Sequence, residues 1–439
     1  MQTRFTPDQL AADPDLARSE TILRKCVHCG FCTATCPTYL LLGDEADSPR
    51  GRIYMIQNML EKGGAPDAAT VRHVDRCLSC LSCATTCPSG VDYMHLVDQA
   101  RAHIETHHRR PLPDRLFRRL VTGVLTRSWL FSLLLRLAAP VRGLAALAPG
   151  RLRGLIEAVP AQLPRRTTEG SPPPVAPPRL RVGLMKGCVQ PVLNPGIDAA
   201  ALRLLGRLGL SVVQPEAPTC CGALPHHLGQ SDRTRVLARR QIALWCGVLE
   251  HTPLDAIVVT TSGCGTTLKD YGQMFRNDPV WAERAARVAA LAVDVSELLD
   301  RCWTDLPVRP EARGRRVAWQ SPCSLQHGQG IRSAPRSLLQ RAGAVVVEPA
   351  EAHICCGSAG TYSLTQPELA RKLGARKAAH LEALTADWVI SANIGCMTQI
   401  GTHTRTPVVH LVEWLDWATG GPFLPGQGAK TALQRANAR

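Results

Sequence analysis

Between residues 180 and 420 the chain alternates short apolar runs with longer stretches of helical periodicity, and it does so twice. RLRVGLMKGC (179–188), LSVVQ (210–214) and AIVVTTSGC (256–264) are rich in β-branched residues and end at turn formers, which predicts three strands. RRVAWQSPC (315–323), AVVVE (344–348) and WVISANIGC (388–396) repeat the series 132 to 135 residues later. Strands separated by helices predict a parallel sheet with helices on its faces, so each copy reads as one α/β unit, over 180–300 and 315–420. Ligands of such sheets lie beyond the carboxyl ends of the strands.

Residues 1–110 show no strand pattern. They read as short helical pieces, for instance Gly51–Glu61 and Asp92–Thr106. Residues 111–179 are rich in Leu and Arg and end in SPPPVAPP (171–178), which continues neither a helix nor a central strand and reads as an extended linker. No apolar run reaches the length of a membrane-spanning helix.

Charge sharpens the view of that third region. The net charge is +15, yet between Arg101 and Arg166 thirteen Arg face only Glu105, Asp114 and Glu157, so most of the excess sits there. Two readings of the segment stay open: a basic amphipathic surface resting on an anionic membrane, or helices linking the domains with Arg stems turned outward. Nucleic-acid binding is not expected, because basic charge alone gives only non-specific attraction.

The start, MQTRFTPDQLAADPD, has neither a basic n-region nor an apolar h-region, so the chain is expected to be cytoplasmic, with peripheral contact at the inner face of the membrane left open. In that compartment thiols stay reduced, and clustered cysteines among the 18 present read as metal ligands. CVHCGFCTATCP places Cys26, Cys29, Cys32 and Cys36 before Pro37; CLSCLSCATTCP places Cys77, Cys80, Cys83 and Cys87 before Pro88. Both follow the C-x2-C-x2-C-x3-C-P spacing of two-cluster ferredoxins, in which the fourth cysteine ligates the other cluster. Three closely spaced thiolates on a tight loop reach three corners of one cube, and the fourth lies too far along. The expected sets are Cys26, Cys29, Cys32 and Cys87 for one [4Fe-4S] cluster, and Cys77, Cys80, Cys83 and Cys36 for the other. Zinc has no use for a third cysteine in each motif. Arg50 and Arg52 either face these clusters or sit at a solvated helix start.

Each α/β copy carries its own cysteines. Cys188, the pair Cys220-Cys221 before Gly222, and Cys264 recur as Cys323, Cys355-Cys356 before Gly357, and Cys396, with 32 residues from first to second in both copies. Glycine after the pair permits a tight turn presenting two thiols together. Cys246 and Cys302 remain as core thiols. His28, His226, His227, His327 and His353 lie near the motifs and read as satisfied loop histidines rather than ligands.

The repeats resemble the cysteine-rich CCG domains of heterodisulfide reductase and related respiratory subunits. The stretches CVHCGFCTATCPTYLLLGDEADSPRGRIYMIQNMLE and HVDRCLSCLSCATTCPSGVDY are similar to the iron–sulfur subunits of bacterial glycolate oxidases. The likeness implies an α/β multidomain fold, with a helical two-[4Fe-4S] ferredoxin-like domain followed by two Rossmann-like CCG repeats. It also implies an electron-transfer subunit of a complex that oxidises glycolate to glyoxylate, not active alone. FAD-containing dehydrogenase subunits would take the hydride, and electrons would pass to a membrane quinone or other acceptor. One departure concerns the repeats: Thr261 and Asn393 stand where the heterodisulfide-reductase motif has a further cysteine. Each repeat offers four thiols instead of five, and a further Fe–S centre, a labile site and a structural role all stay open there.

The chain has no G-x-G-x-x-G fingerprint and no G-x4-G-K-[ST] loop. Hydride removal needs an organic cofactor, whereas Fe–S clusters move single electrons, so FAD is expected on a partner. The rival readings are D-lactate or glycerol 3-phosphate oxidation, a thiol–disulfide reductase using the CCG cysteines, and a purely structural role for the repeats.

Overall fold

Four parallel strands form the first sheet: β1 (Leu180–Leu184), β2 (Leu210–Val213), β3 (Ala256–Val259) and β4 (Ala292–Asp294), in the order β2-β1-β3-β4. The second repeats it with β5 (Arg316–Trp319), β6 (Val345–Val347), β7 (Trp388–Ser391) and β8 (Val408–His410), in the order β6-β5-β7-β8. This computed structural model describes residues 1–140, 178–215 and 220–422, together with Gly143, Leu155, Ile156, Val159 and Leu424. The continuous apolar runs of β3 and β7 are buried along their whole length, as strands covered on both faces must be. The short strands β4 and β8 add a fourth member to each sheet that the sequence pattern did not announce.

The two repeats share one core. Helix Gly196–Arg207, which follows β1, packs on helix Leu411–Ala418, which follows β8, and helix Val295–Cys302 packs likewise on helix Ala334–Arg341. Trp319, Trp414 and Trp417 are buried in this joint core. Across it Arg203 and Arg207 both bind the buried Asp416 carboxylate at 2.6 Å. The repeats are therefore halves of one body rather than beads on a chain.

Residues 1–110 are helical, as expected. Helices Pro14–Arg24, Pro49–Lys62, Ala68–Asp75 and Tyr93–His107 surround a core containing Leu23, Ile56, Val74, Leu96 and Ile104. Helix Pro49–Lys62 begins two residues before the sequence reading put it. Ser48 caps it by accepting from the Gly51 N–H at 3.0 Å, and Pro49 occupies the first turn, where its missing N–H costs nothing.

The basic segment starts as two helices, Leu112–Leu125 and Ser128–Ala138, bent by 108° at their junction. Among the described residues no single helix is long and apolar enough to cross a membrane. Arg110 and Arg118 are buried on Asp75, at 2.6 and 2.8 Å, so part of the positive charge ties the segment down. Leu112, Leu116, Leu120, Trp129, Leu133 and Leu137 face outward. The Pro-rich stretch and most of the linker lie outside the described residues.

Candidate metal centres

The two N-terminal motifs fold into the same loop. His28 and Gly30 in the first, and Ser79 and Leu81 in the second, all take left-handed conformations, with φ of 55°, 84°, 49° and 62°. Leucine rarely adopts this region, where its Cβ crowds the following carbonyl. The conformation nevertheless recurs at the matching position of both copies, with Gly30 in the first and Leu81 in the second. Left-handed residues in a tight loop help turn neighbouring N–H groups to one side, a concavity suited to negative charge. One such bond is already made: the Ser79 N–H donates to Cys77 Sγ at 3.5 Å.

These loops bound two hollows. One, of about 430 Å³ and open to solvent, is lined by Cys26, Cys29, Cys32, Cys83 and Cys87, with Gly30 and Arg50. The other, of about 310 Å³, is lined by Cys36, Cys77, Cys80 and Cys83, with Arg52 and Tyr93. Each fourth cysteine thus sits beside the other motif's loop. Cys36 directly precedes helix Pro37–Leu42, whereas Cys87 ends helix Ser82–Thr86 instead of beginning a new one. Burial pushes the Cys32 thiol up to about 11, and it also raises those of Cys83 and Cys80 well above the usual thiol range. Thiols crowded in this way ionise only against a bound cation.

Arg52 settles one of the alternatives left open by sequence. It is buried, and donates to His73 O at 2.7 Å, Thr38 Oγ1 at 2.9 Å and Asp47 Oδ1 at 3.1 Å. Its other nitrogen lies 3.8 Å from Cys36 Sγ. Arg76 binds the same Asp47 carboxylate at 2.8 Å. Arg50 pairs with Glu45 at 2.6 Å on the surface and lines the first hollow. The Tyr93 hydroxyl donates to Cys77 Sγ at 3.7 Å. Charge and donors therefore converge on the thiols of the second hollow, which suits a centre carrying net negative charge.

All eight repeat cysteines lie beyond the carboxyl ends of their strands, four to a sheet. Cys188, Cys220, Cys221 and Cys264 form one chain of thiol contacts. Cys323, Cys355, Cys356 and Cys396 form the other, with Cys323 and Cys355 Sγ atoms 3.8 Å apart. Hydrogen bonds from their neighbours pull Cys220 and Cys356 down, while donating those bonds, together with burial, pushes the partner thiols up. Thr261 and Asn393 have other work. Thr261 Oγ1 donates to Gln190 Oε1, and Asn393 Oδ1 caps helix Ile394–Gly401 by accepting from Gly395 and Cys396 N–H at 2.9 and 3.2 Å.

The N-terminal region is seated over both sheet ends. His95 bridges Asp92 and Asp270 at 2.6 and 2.9 Å, and His226 pairs with Asp98 at 3.0 Å. Burial disfavours a charge on His95, but the hydrogen bonds to Asp270 and Asp92 prevail and raise it to about 9. On the other side Thr85 Oγ1 meets His327 Nδ1 at 2.7 Å, and Cys80 packs in one apolar cluster with Cys355 and Tyr362. His327 Nε2 also bonds His353 O at 3.1 Å, and burial holds the imidazole down at about 4. Of the flagged histidines, His226 and His327 are thus engaged in domain contacts, His28 lines the first hollow, and half-buried His227 lies beside His226, with its imidazole held down at about 4 by desolvation. Cys302 lies in the joint core and Cys246 packs at the edge of the first repeat's own core. Sequence reasoning missed Tyr93 and Tyr362.

Fold and sites together define a dicluster ferredoxin-type region joined to a paired cysteine-rich body. The 4Fe-4S dicluster domain family matches residues 22–91, and the cysteine-rich CCG domain matches 182–269 and 317–401. The glycolate oxidase iron–sulfur subunit of Escherichia coli is 41% identical over 419 residues, covering 95% of this chain and 99% of that protein. A probable glycolate oxidase iron–sulfur subunit of Bacillus subtilis is 31% identical, covering 91% and 94%. The chain belongs to the family of glycolate oxidase iron–sulfur subunits. More distant is lactate utilization protein A of Geobacillus thermodenitrificans, 28% identical over 54% of this chain and 99% of that protein. A hypothetical protein from Helicobacter pylori shares the fold at 10% identity, with a TM-score of 0.51 over 85% of this chain and 72% of that one.

Proposed function

We propose that this chain carries electrons within a glycolate-oxidising complex. Cys26, Cys29, Cys32 and Cys87 hold one [4Fe-4S] cluster, and Cys77, Cys80, Cys83 and Cys36 hold the other. The observation that carries this reading is the pair of hollows, each lined by three cysteines of one motif and the fourth of the other. Such clusters, when bound, supply one-electron transfer. The chain's own residues keep them close and set the charge around them. Cys83 lines both hollows, Arg52 offsets negative charge beside Cys36, and Tyr93 donates to Cys77.

Glycolate is the substrate of the whole complex, its hydride taken by an FAD-containing partner, and the electrons continue to a membrane quinone or other acceptor. The outward Leu112, Leu116, Leu120, Trp129 and Leu137, interleaved with Arg115, Arg119 and Arg136, support peripheral contact with an anionic membrane face. The likeness to lactate utilization protein A supports lactate as the second reading, with D-lactate the form tested. Anaerobic mixing of the loaded chain with its flavoprotein partner and each substrate separates the two. Glycolate is expected to bleach the Fe–S absorption. Bleaching by D-lactate but not glycolate reverses the assignment, and none through the flavoprotein overturns electron transfer altogether.

A further inference from the structure

The two N-terminal loops share their winding but not their surroundings. Aligning Cys26 with Cys77 matches Val27 with Leu78, Phe31 with Ser82 and Ala34 with Thr85. The second loop is covered by the second repeat of the same chain. Leu78 packs with Ile354, Cys355 and Tyr362, and helix Ser82–Thr86 rests on the turn Ser324–Gly328, where Thr85 Oγ1 meets His327 Nδ1 at 2.7 Å. Leu78 and Ser82 are left 6% and 1% exposed.

The first loop has no such cover among the described residues. Val27 is 67% exposed and Phe31 63%, and Cys29 between them is exposed too. The turn Phe31–Thr33 packs on helix Pro49–Lys62, whose Arg50 guanidinium lies over Gly30. One turn further along the same helix face is Tyr54, 57% exposed. Two aromatic rings and a valine are thus held outward on elements that touch, beside the hollow that opens to solvent. A scattered apolar side chain needs no explanation, but a group of them with aromatic anchors marks a contact surface. The charge beside it is positive: Lys25 is exposed, while Glu20 and Glu45 are each taken by an arginine, Arg24 and Arg50.

The occupant follows from what the rest of the chain already uses. The outward leucines of the basic segment belong to helices that rest on the first repeat, at Ala223–His226 and Gln190–Leu193, so the face offered to a membrane is built from other elements. The second loop is closed by the second repeat. The first loop is left for the electron donor, and its apolar centre with a basic edge fits a protein surface that is apolar and rimmed with acids.

We infer that Val27, Phe31 and Tyr54, edged by Lys25, are the docking surface for the FAD-containing partner, and that electrons enter this chain at the first hollow. This rests on the electron-transfer reading above and adds the place of contact and the direction of flow. The flavin takes two electrons from glycolate as hydride and gives them up singly to the first hollow's cluster, which is reduced as the flavin is oxidised, with the flavin's protons released to solvent. The second hollow, covered by the repeat, receives each electron next.

The test measures the affinity of the full chain, purified anaerobically with its clusters, for the FAD-loaded partner by biolayer interferometry. Phe31→Asp and Tyr54→Asp are each expected to weaken binding at least about tenfold, as removal of a central aromatic anchor does. Iron content and the dithionite-reduced EPR spectrum stay those of wild type, because dithionite needs no docking. Val280→Asp, at a position 64% exposed on the first repeat, binds as wild type does. Should Phe31→Asp lose iron, Tyr54→Asp decides alone, since its helix carries no cysteine. Unchanged affinity in Tyr54→Asp, or an equal loss in Val280→Asp, overturns the docking site. So does self-association of wild type that Tyr54→Asp abolishes, which would make a second copy the occupant. No binding by wild type overturns the partnership itself.

Discussion

Replacing Arg52 by methionine keeps most of the side-chain volume but removes the charge and the hydrogen bonds to His73, Thr38 and Asp47. Asp47 is fully buried, so the variant leaves a carboxylate with less compensation in a low-dielectric place. Breaking a buried ion pair from one side costs roughly 3–5 kcal/mol. Arg76 still reaches Asp47 at 2.8 Å, so the lower end, about 3 kcal/mol, is expected. At about 1.4 kcal/mol per decade, that is roughly a hundredfold faster local opening. Hydrogen exchange of amides in helices Pro49–Lys62 and Ala68–Asp75, followed by mass spectrometry under anaerobic conditions, reads it directly. The same variant removes a cation 3.8 Å from Cys36 Sγ, so the potential of the second cluster falls. Exchange accelerated less than about fivefold would refute the claim that this network supports the second hollow.

Crosswise ligation makes Cys87→Ser strip the cluster at Cys26, Cys29 and Cys32, and Cys36→Ser the one at Cys77, Cys80 and Cys83; EPR of each variant shows which signal goes. His95 has a folded pKa of about 9 against an unfolded ~6.5, so its contribution of about 3 kcal/mol is fully present below pH ~6.5 and fades as pH rises through 9. His95→Gln is expected to flatten the fall of the thermal midpoint between pH 6.5 and 9.5 that wild type shows; equal slopes would count against the bridge. Gly357 has φ of 87° and a Cβ there would meet Ala370 O at 2.7 Å, whereas Gly43, at 66°, has open space. Alanine at 357 should cost at least about 2 kcal/mol in denaturant unfolding and at 43 only about 1.

The cysteine pattern was legible because spacing alone carries it, and the repeat because β-branched runs recur at a fixed distance. The three-residue strands β4 and β8 are too short for any periodicity to stand out. Packing of helix Gly196–Arg207 on helix Leu411–Ala418 joins residues two hundred positions apart, which no local pattern reports. Arg52 was visible as a charge but not as buried, since only the pairing of Asp47 decides that. Lys377 sits in ARKAAHLE, which reads as a solvated helix face, and only the tertiary structure turns it inward.

Two iron–sulfur cubes in the N-terminal hollows are what electron transfer through this chain requires. Mössbauer spectroscopy of the full chain, enriched in 57Fe and purified anaerobically, examines that directly. Oxidised protein is expected to show the quadrupole doublet of [4Fe-4S]2+ with at least about eight irons per chain, and dithionite should convert it to the reduced form. Fewer than about four irons, with zinc bound in their place, would contradict it.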